Sequence, residues 1–171
     1  AYRLAQRAAQ GAHAGRYALA LDAPADERPT QAQQELAYNQ AARRRGQELE
    51  LTFWVRAGGA GGFGYVSLYD GETVQRVSFT PAAAAWQPVV VRYRLASDAR
   101  QAGIVLKNAG VSRLFFDDLS WRDAAGQELL RNGDFERPAR WFETWFARRQ
   151  AISPGLTPHL CEAESYSRAS L

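Results

Sequence analysis

The sequence predicts an all-β protein: a two-sheet antiparallel β-sandwich, followed by a short C-terminal helix and a loosely ordered tail. Three observations predict it. Short apolar runs alternate with a period of two at 17–22, 33–39, 48–56, 64–69, 74–80, 88–95, 102–107 and 113–121. Gly, Pro, Asp and Asn punctuate them, most clearly at Asp70-Gly71, Ser97-Asp98 and Asn108-Ala109-Gly110. No convincing long helix interrupts the series, and a repeat of roughly ten residues is that of a sandwich.

In chain order, residues 1–16 (AYRLAQRAAQGAHAGR) are polar and Ala-rich, and fit a short helix or an irregular lead-in. The 48–56 run shows the sidedness best. Leu49, Leu51, Phe53 and Val55 point inward, and Glu48, Glu50, Thr52, Trp54 and Arg56 point out. In 64–69 the same split sends Val66 and Leu68 inward and Tyr65, Ser67 and Tyr69 outward; in 88–95 it separates Val89, Val91, Tyr93 and Leu95 from Val90, Arg92 and Arg94. Between two of these strands, Gly59-Ala60-Gly61-Gly62-Phe63-Gly64 matches G-x-G-x-x-G. A strand rather than a helix follows it, so it reads as a hairpin loop and not a phosphate cradle.

After Gly126 the pattern changes. Residues 128–131 read as a short strand before the Asn132-Gly133 turn, and 139–150 (ARWFETWFARRQ) space Trp141, Trp145 and Arg148 as an amphipathic helix would. Residues 152–171, with Pro154, Gly155 and Pro158, form the tail. The expected division is a sandwich over 1–126 and, over 127–171, an extra strand, helix and tail.

A chain of 171 residues suits one domain, or one with an appendage, and buries enough surface to fold without a disulfide or metal. Cys161 is the single cysteine, which excludes an internal disulfide. No apolar run reaches the ~20 residues that span a bilayer. With no initiator Met and no signal peptide, the chain reads as part of something longer. The net charge is +3, carried almost wholly by arginine, with Lys107 the lone lysine. Arg43-Arg44-Arg45 reads as a solvated loop, and nucleic-acid binding is not supported.

No Ser sits in a G-x-S-x-G elbow, and His159 and Cys161 stand in the tail without other metal ligands. Asp117 and Asp118 are adjacent on a strand, which would send them to opposite faces, a poor arrangement for the two carboxylates of a glycosidase. One of them can instead meet the rim of the sandwich, where it would bind calcium with backbone carbonyls or cap backbone N–H groups. No catalysis is expected.

The segments GAHAGRYALAL (11–21), LELTFWVRA (49–57), VSLYD (66–70), AWQPVVVRYRL (85–95), AGIVLKNAGVSRLFFDDLSW (102–121) and LLRNGDFE (129–136) resemble the carbohydrate-binding-module families with a galactose-binding-like jelly roll. The resemblance implies a jelly-roll sandwich. It also implies a structural calcium held by Asp117 or Asp118, carbonyls near Gly15, and Glu136. One departure stands out: in such modules N-G-x-F-E opens the domain, whereas here it follows the closing strand. It is the start of a second module, a strand folded back into the first, or one swapped between chains. NGDFERPARWF resembles, more weakly, linkers of extracytoplasmic domains in bacterial polysaccharide-assembly proteins.

The expected function is a non-catalytic carbohydrate-binding module, extracytoplasmic and part of a larger protein. Trp54, Tyr65 and Tyr69 would stack on sugar C–H faces, with Arg56, Asp70, Arg76 and Arg92 as polar contacts. Trp86, just before a strand, more often plugs the end of a core. The alternative is a structural or assembly module of a cell-envelope or polysaccharide-biosynthesis protein, with no sugar of its own. There the outer aromatics would be buried against neighbouring domains of the same polypeptide. What Trp54 sees separates the two.

Overall fold

A computed structural model describes residues 6–9, 11–24, 29–71 and 73–137. The expected helix at 139–150 and the tail lie outside the described residues. Sheet A runs β1 (Gln6–Ala8), β2 (Ala18–Leu21), β9 (Leu114–Arg122), β4 (Glu48–Ala57), β7 (Gln87–Arg94). Sheet B runs β3 (Thr30–Glu35), β8 (Gly103–Asn108), β5 (Gly64–Tyr69), β6 (Val74–Phe79). Neighbours in both sheets are antiparallel. The fold is the expected two-layer sandwich.

The alternation written into the sequence builds the core. Leu49, Leu51, Phe53 and Val55 of β4 meet Val91 and Tyr93 of β7 and Phe116 and Trp121 of β9; Val66, Leu68, Ile104 and Leu106 close over them from sheet B. Phe53, Phe79 and Phe116 pack with ring centroids 5.7–5.9 Å apart. Burying such side chains is worth roughly 1.5–3 kcal/mol each, which fixes the strand faces. The buried Asn108 ties one end: its Nδ2 donates to the carbonyls of Leu21, Asp22 and Ser112, and its Oδ1 accepts from Gly110 N–H.

Four local expectations are corrected. Residues 6–8 form a strand, paired to β2. The strand expected at 33–39 lies at Thr30–Glu35, and α1 (Tyr38–Ala42) follows it. The helix arises because Gln40 Oε1 takes the Ala37 N–H and Ala41 is fully buried, contacts that alternation cannot reveal. The glycine loop at 58–63 is no hairpin: β4 and β5 belong to different sheets, and Gly61 and Phe63 carbonyls bind Val111 and Ala109 N–H. Arg44 is not solvated. Its guanidinium reaches Asp123 (3.0 Å), Gln127 Oε1 and the Gln40 carbonyl, so it is buried yet fully partnered. Burial works against the Asp123 charge, but N–H bonds from Gln127 and Ala125 and the guanidinium outweigh it and lower the carboxyl's pKa.

The segment after β9 returns to the same sandwich. Asp123 Oδ1 accepts the N–H groups of Ala125 and Gln127 and turns the chain. The chain then runs back along β9, with Glu128 bridging Arg122, Leu129 N–H on the Trp121 carbonyl, and Leu119 N–H on the Gly133 carbonyl. A Cβ at Gly133 would collide with the Leu119 backbone. Gln34 reaches across from sheet B and bonds both the N–H and the C=O of Arg131, as a paired strand residue would. Leu129, Leu130 and Phe135 are buried in the one core, so the segment is folded back onto the sandwich. The strand expected at 128–131 does not form, because only Glu128 makes a bridge and the rest of the segment is held by single N–H bonds and side chains. Phe135→Ala is therefore expected to destabilise the whole domain by about 3–5 kcal/mol in urea unfolding. An unchanged midpoint would mean that the segment is not part of this core.

Candidate functional site

The side chains expected to carry function are distributed by one irregularity in β9. Thr52 faces Ser120 and Trp54 faces Asp117, so Phe53 alone opposes Asp118 and Leu119. This is a β-bulge, with Asp118 at φ 49°. The extra residue resets the alternation, and Asp117 and Asp118 emerge on the same side rather than on opposite faces. Asp117 Oδ2 accepts the N–H groups of His13 (2.8 Å) and Ala14 (3.2 Å), and its Oδ1 that of Asp118 (2.8 Å). Asp118 Oδ2 meets His13 Nδ1 at 2.7 Å. Burial pushes the Asp117 carboxyl up, against the N–H bonds from Asp118, Ala14 and His13.

Glu136 closes the next turn. Its Oε1 accepts Arg16 and Tyr17 N–H at 2.7 and 2.9 Å, and those bonds hold its carboxyl below the usual range. Arg7 donates to the carbonyls of Phe135 and Glu136. The residues named for calcium thus do come together: Asp117 and Asp118 on one side of the 13–17 turn, Glu136 against Gly15 on the other. What faces their oxygens is N–H, and among the described residues no group of three or more His, Cys, Asp or Glu is gathered for a metal. As arranged, these carboxylates cap backbone N–H groups of the 13–17 turn.

On the outer face of sheet A, the His13 ring stacks on Trp54, with centroids 4.0 Å apart and planes 15° apart, and Trp86 meets the same imidazole edge-on at 5.7 Å. Arg56 donates to the Gly11 carbonyl and lies over Phe115 (4.1 Å) and Trp86 (5.3 Å). Arg92 is paired with Glu50 at 3.0 Å. These expected sugar contacts are occupied by other parts of the chain, and Trp86 belongs to the same cluster.

Tyr65, Tyr69 and Arg76 lie on the opposite side of the molecule. The registers of sheet B align Gln31, Lys107, Tyr65 and Ser78 in one row, then Gln33, Val105, Ser67 and Arg76, then Glu35, Gly103, Tyr69 and Val74. These side chains point away from the core. Yet Ser67, Val105 and Lys107 in the middle are only 6%, 8% and 6% exposed. The centre of the face is therefore largely covered by the side chains around it. Tyr69 OH bonds Glu35, and the Arg76 guanidinium sits 4.5 Å over the Tyr65 ring, with the Lys107 ammonium 5.5 Å from it. Gln31, Gln33 and Glu35 were missed in the sequence because the signal, the alternation of 30–35, was obscured by placing that strand three residues late; Lys107 lay in a recognised strand run, 102–107, whose neighbours only the sheet order reveals. Asp70 is not on this face. It is 1% exposed and organises the β5–β6 turn, accepting from Thr73 N–H and Oγ and from Ala96 N–H.

Several solved carbohydrate-binding modules share this sandwich. The CBM22-1 xylan-binding domain of Paenibacillus barcinonensis Xyn10C is similar at 12% identity over 70% of this chain and 80% of that one, with a TM-score of 0.54. A xylan-binding domain of CBM 22 is similar at 16% identity over 72% and 83%, at 0.52, and a family 16 carbohydrate-binding module at 12% over 68% and 84%, at 0.50. At these identities the likeness defines the fold: a β-sandwich of the carbohydrate-binding-module kind. No protein-family model matches the chain, and no curated protein matches it.

Asp117→Ala strands three N–H groups and is expected to cost about 1–3 kcal/mol for each that stays buried, read as a lowered urea midpoint. Glu136 has a lowered folded pKa, so its contribution is present above its ordinary value of 4.5 and fades as the pH falls through the folded value. The melting difference between the protein and Glu136→Gln should therefore be present at neutral pH and close below that value. Melting in calcium and in EDTA is expected to coincide. A rise with calcium would return these carboxylates to the ligand role, because a ligand of the native state must stabilise it.

Proposed function

We propose that the protein is a non-catalytic glycan-binding module whose ligand lies on the outer face of sheet B, across Tyr65 and Tyr69. The observation that carries the proposal is a sheet face with a buried centre, two half-buried tyrosines on one strand, and amide, carboxylate and cationic groups beside them. Sugars present C–H faces to aromatic rings and hydroxyls to fixed polar groups, and this face offers both. Tyr65 and Tyr69 stand four residues apart on β5, ~13 Å along the strand. That span suits an extended saccharide rather than a single ring. The two CBM22 neighbours are described as xylan-binding, and their shared fold supports the class of ligand without naming this one.

Of the residues expected to bind sugar, Tyr65, Tyr69 and Arg76 remain in the proposal, joined by Gln31, Gln33 and Glu35. Trp54, Arg56 and Arg92 become surface cover on sheet A. A polymeric glycan implies an extracytoplasmic setting. Among the described residues no helix is long and apolar enough to cross a membrane.

The test is binding to a panel of plant and bacterial polysaccharides by affinity electrophoresis. Tyr65→Ala and Tyr69→Ala should each weaken retention by on the order of tenfold, about 1.4 kcal/mol, while Trp54→Ala leaves it unchanged at equal stability. The reverse pattern would move the site to sheet A. No retention by any glycan would favour the assembly reading.

A further inference from the structure

We infer that the sheet B face selects acidic glycans, polymers carrying uronate carboxylates, and that Arg76 receives the carboxylate. The inference rests on the proposed site and adds the chemistry of its ligand. It follows from how charge is laid out across the three rows. Arg76 on β6 and Lys107 on β8 flank the same ring, Tyr65, at 4.5 and 5.5 Å. The face's carboxylate, Glu35, stands in the row of Tyr69 and is hydrogen-bonded to that tyrosine's hydroxyl. Along β5 the face therefore carries the Arg76 guanidinium beside Tyr65 and the Glu35 carboxylate beside Tyr69.

Arg76 is exposed and takes part in none of the ion pairs among the described residues, unlike Arg44, Arg92, Arg113 and Arg122. Its guanidinium is placed by the Tyr65 ring instead. A guanidinium's edge N–H groups match a carboxylate two-to-two in one plane, and Arg76, exposed beside the Tyr65 ring, carries such an edge. A neutral sugar stacked on Tyr65 would bring only hydroxyls to that edge. A uronate would bring a planar anion to this exposed guanidinium, an attraction that salt screens.

The experiment pairs each acidic polymer with its uncharged form: polygalacturonate with its methyl ester, and glucuronoxylan with its carboxyl-reduced product. Expected is at least about a tenfold preference for the acidic member at low salt, shrinking as salt rises. Arg76→Gln should erase the preference, bringing the ratio of affinities for the acidic and neutral members to about one. Tyr65→Ala should weaken both members. Equal affinity for charged and neutral members, with Tyr65→Ala still damaging, overturns the acidic selectivity and leaves the sheet B site standing. Binding untouched by Tyr65→Ala overturns the site itself and the inference with it. Arg76 is exposed and outside the core, so melting of Arg76→Gln should match that of the unsubstituted protein, and its binding can be read directly.

Discussion

The bulge at Asp117-Asp118 is the constraint on which the rest depends. Strand β9 has one edge along β4 for its whole length, but no single strand lines its other edge. β2 covers Leu114 to Phe116, the 13–14 backbone meets the Asp117 carboxylate, and the returning chain covers Leu119 to Arg122. A carboxylate in mid-edge satisfies N–H groups where two segments from opposite ends of the sequence leave a gap. Without the extra residue, Leu119 and Trp121 would swing outward and Ser120 inward, since a one-residue slip reverses every side chain beyond it. The bulge is what lets an alternating core coexist with an acidic rim.

That arrangement explains why the NGDFE motif can follow the closing strand. Its segment needs only the free half of the β9 edge, the Gln34 side chain and a pocket for Phe135, and none of these depends on chain order. Glu136 then accepts Arg16 and Tyr17 N–H as Asp117 accepts those of His13 and Ala14. The turn at 13–17 is gripped from both sides by carboxylates separated by nearly twenty residues of sequence. Burial costs Asp117 some of its ease of ionisation despite the N–H groups it holds, whereas the N–H groups of Arg16 and Tyr17 make Glu136 easier to ionise.

The two outer faces diverge for a related reason. Sheet A is the face the 11–17 turn lies against, so its aromatics become a surface for His13 and Arg56. Sheet B has no such turn lying on it among the described residues, and its two inner strands, β8 and β5, carry Lys107, Val105 and Ser67 buried beside the half-buried rings of Tyr65 and Tyr69. Trp54, by contrast, already has a stacking partner in His13.

The sequence by itself determined the sandwich, the inward and outward sets of β4, β5 and β7, and the closing role of β9, because a period of two is a local property that burial amplifies. It also marked Tyr65, Tyr69 and Arg76 as outward-facing. It could not say that Trp54 and Tyr65 lie on opposite sides of the molecule, because alternation tells in from out but not which sheet a strand joins. Nor could it place Asp70 in a buried turn, Arg44 in an internal ion pair, or both aspartates on one side. Each of those depends on a partner far away in the chain, and only the tertiary structure, by closing two sheets over one core, brings the partners together.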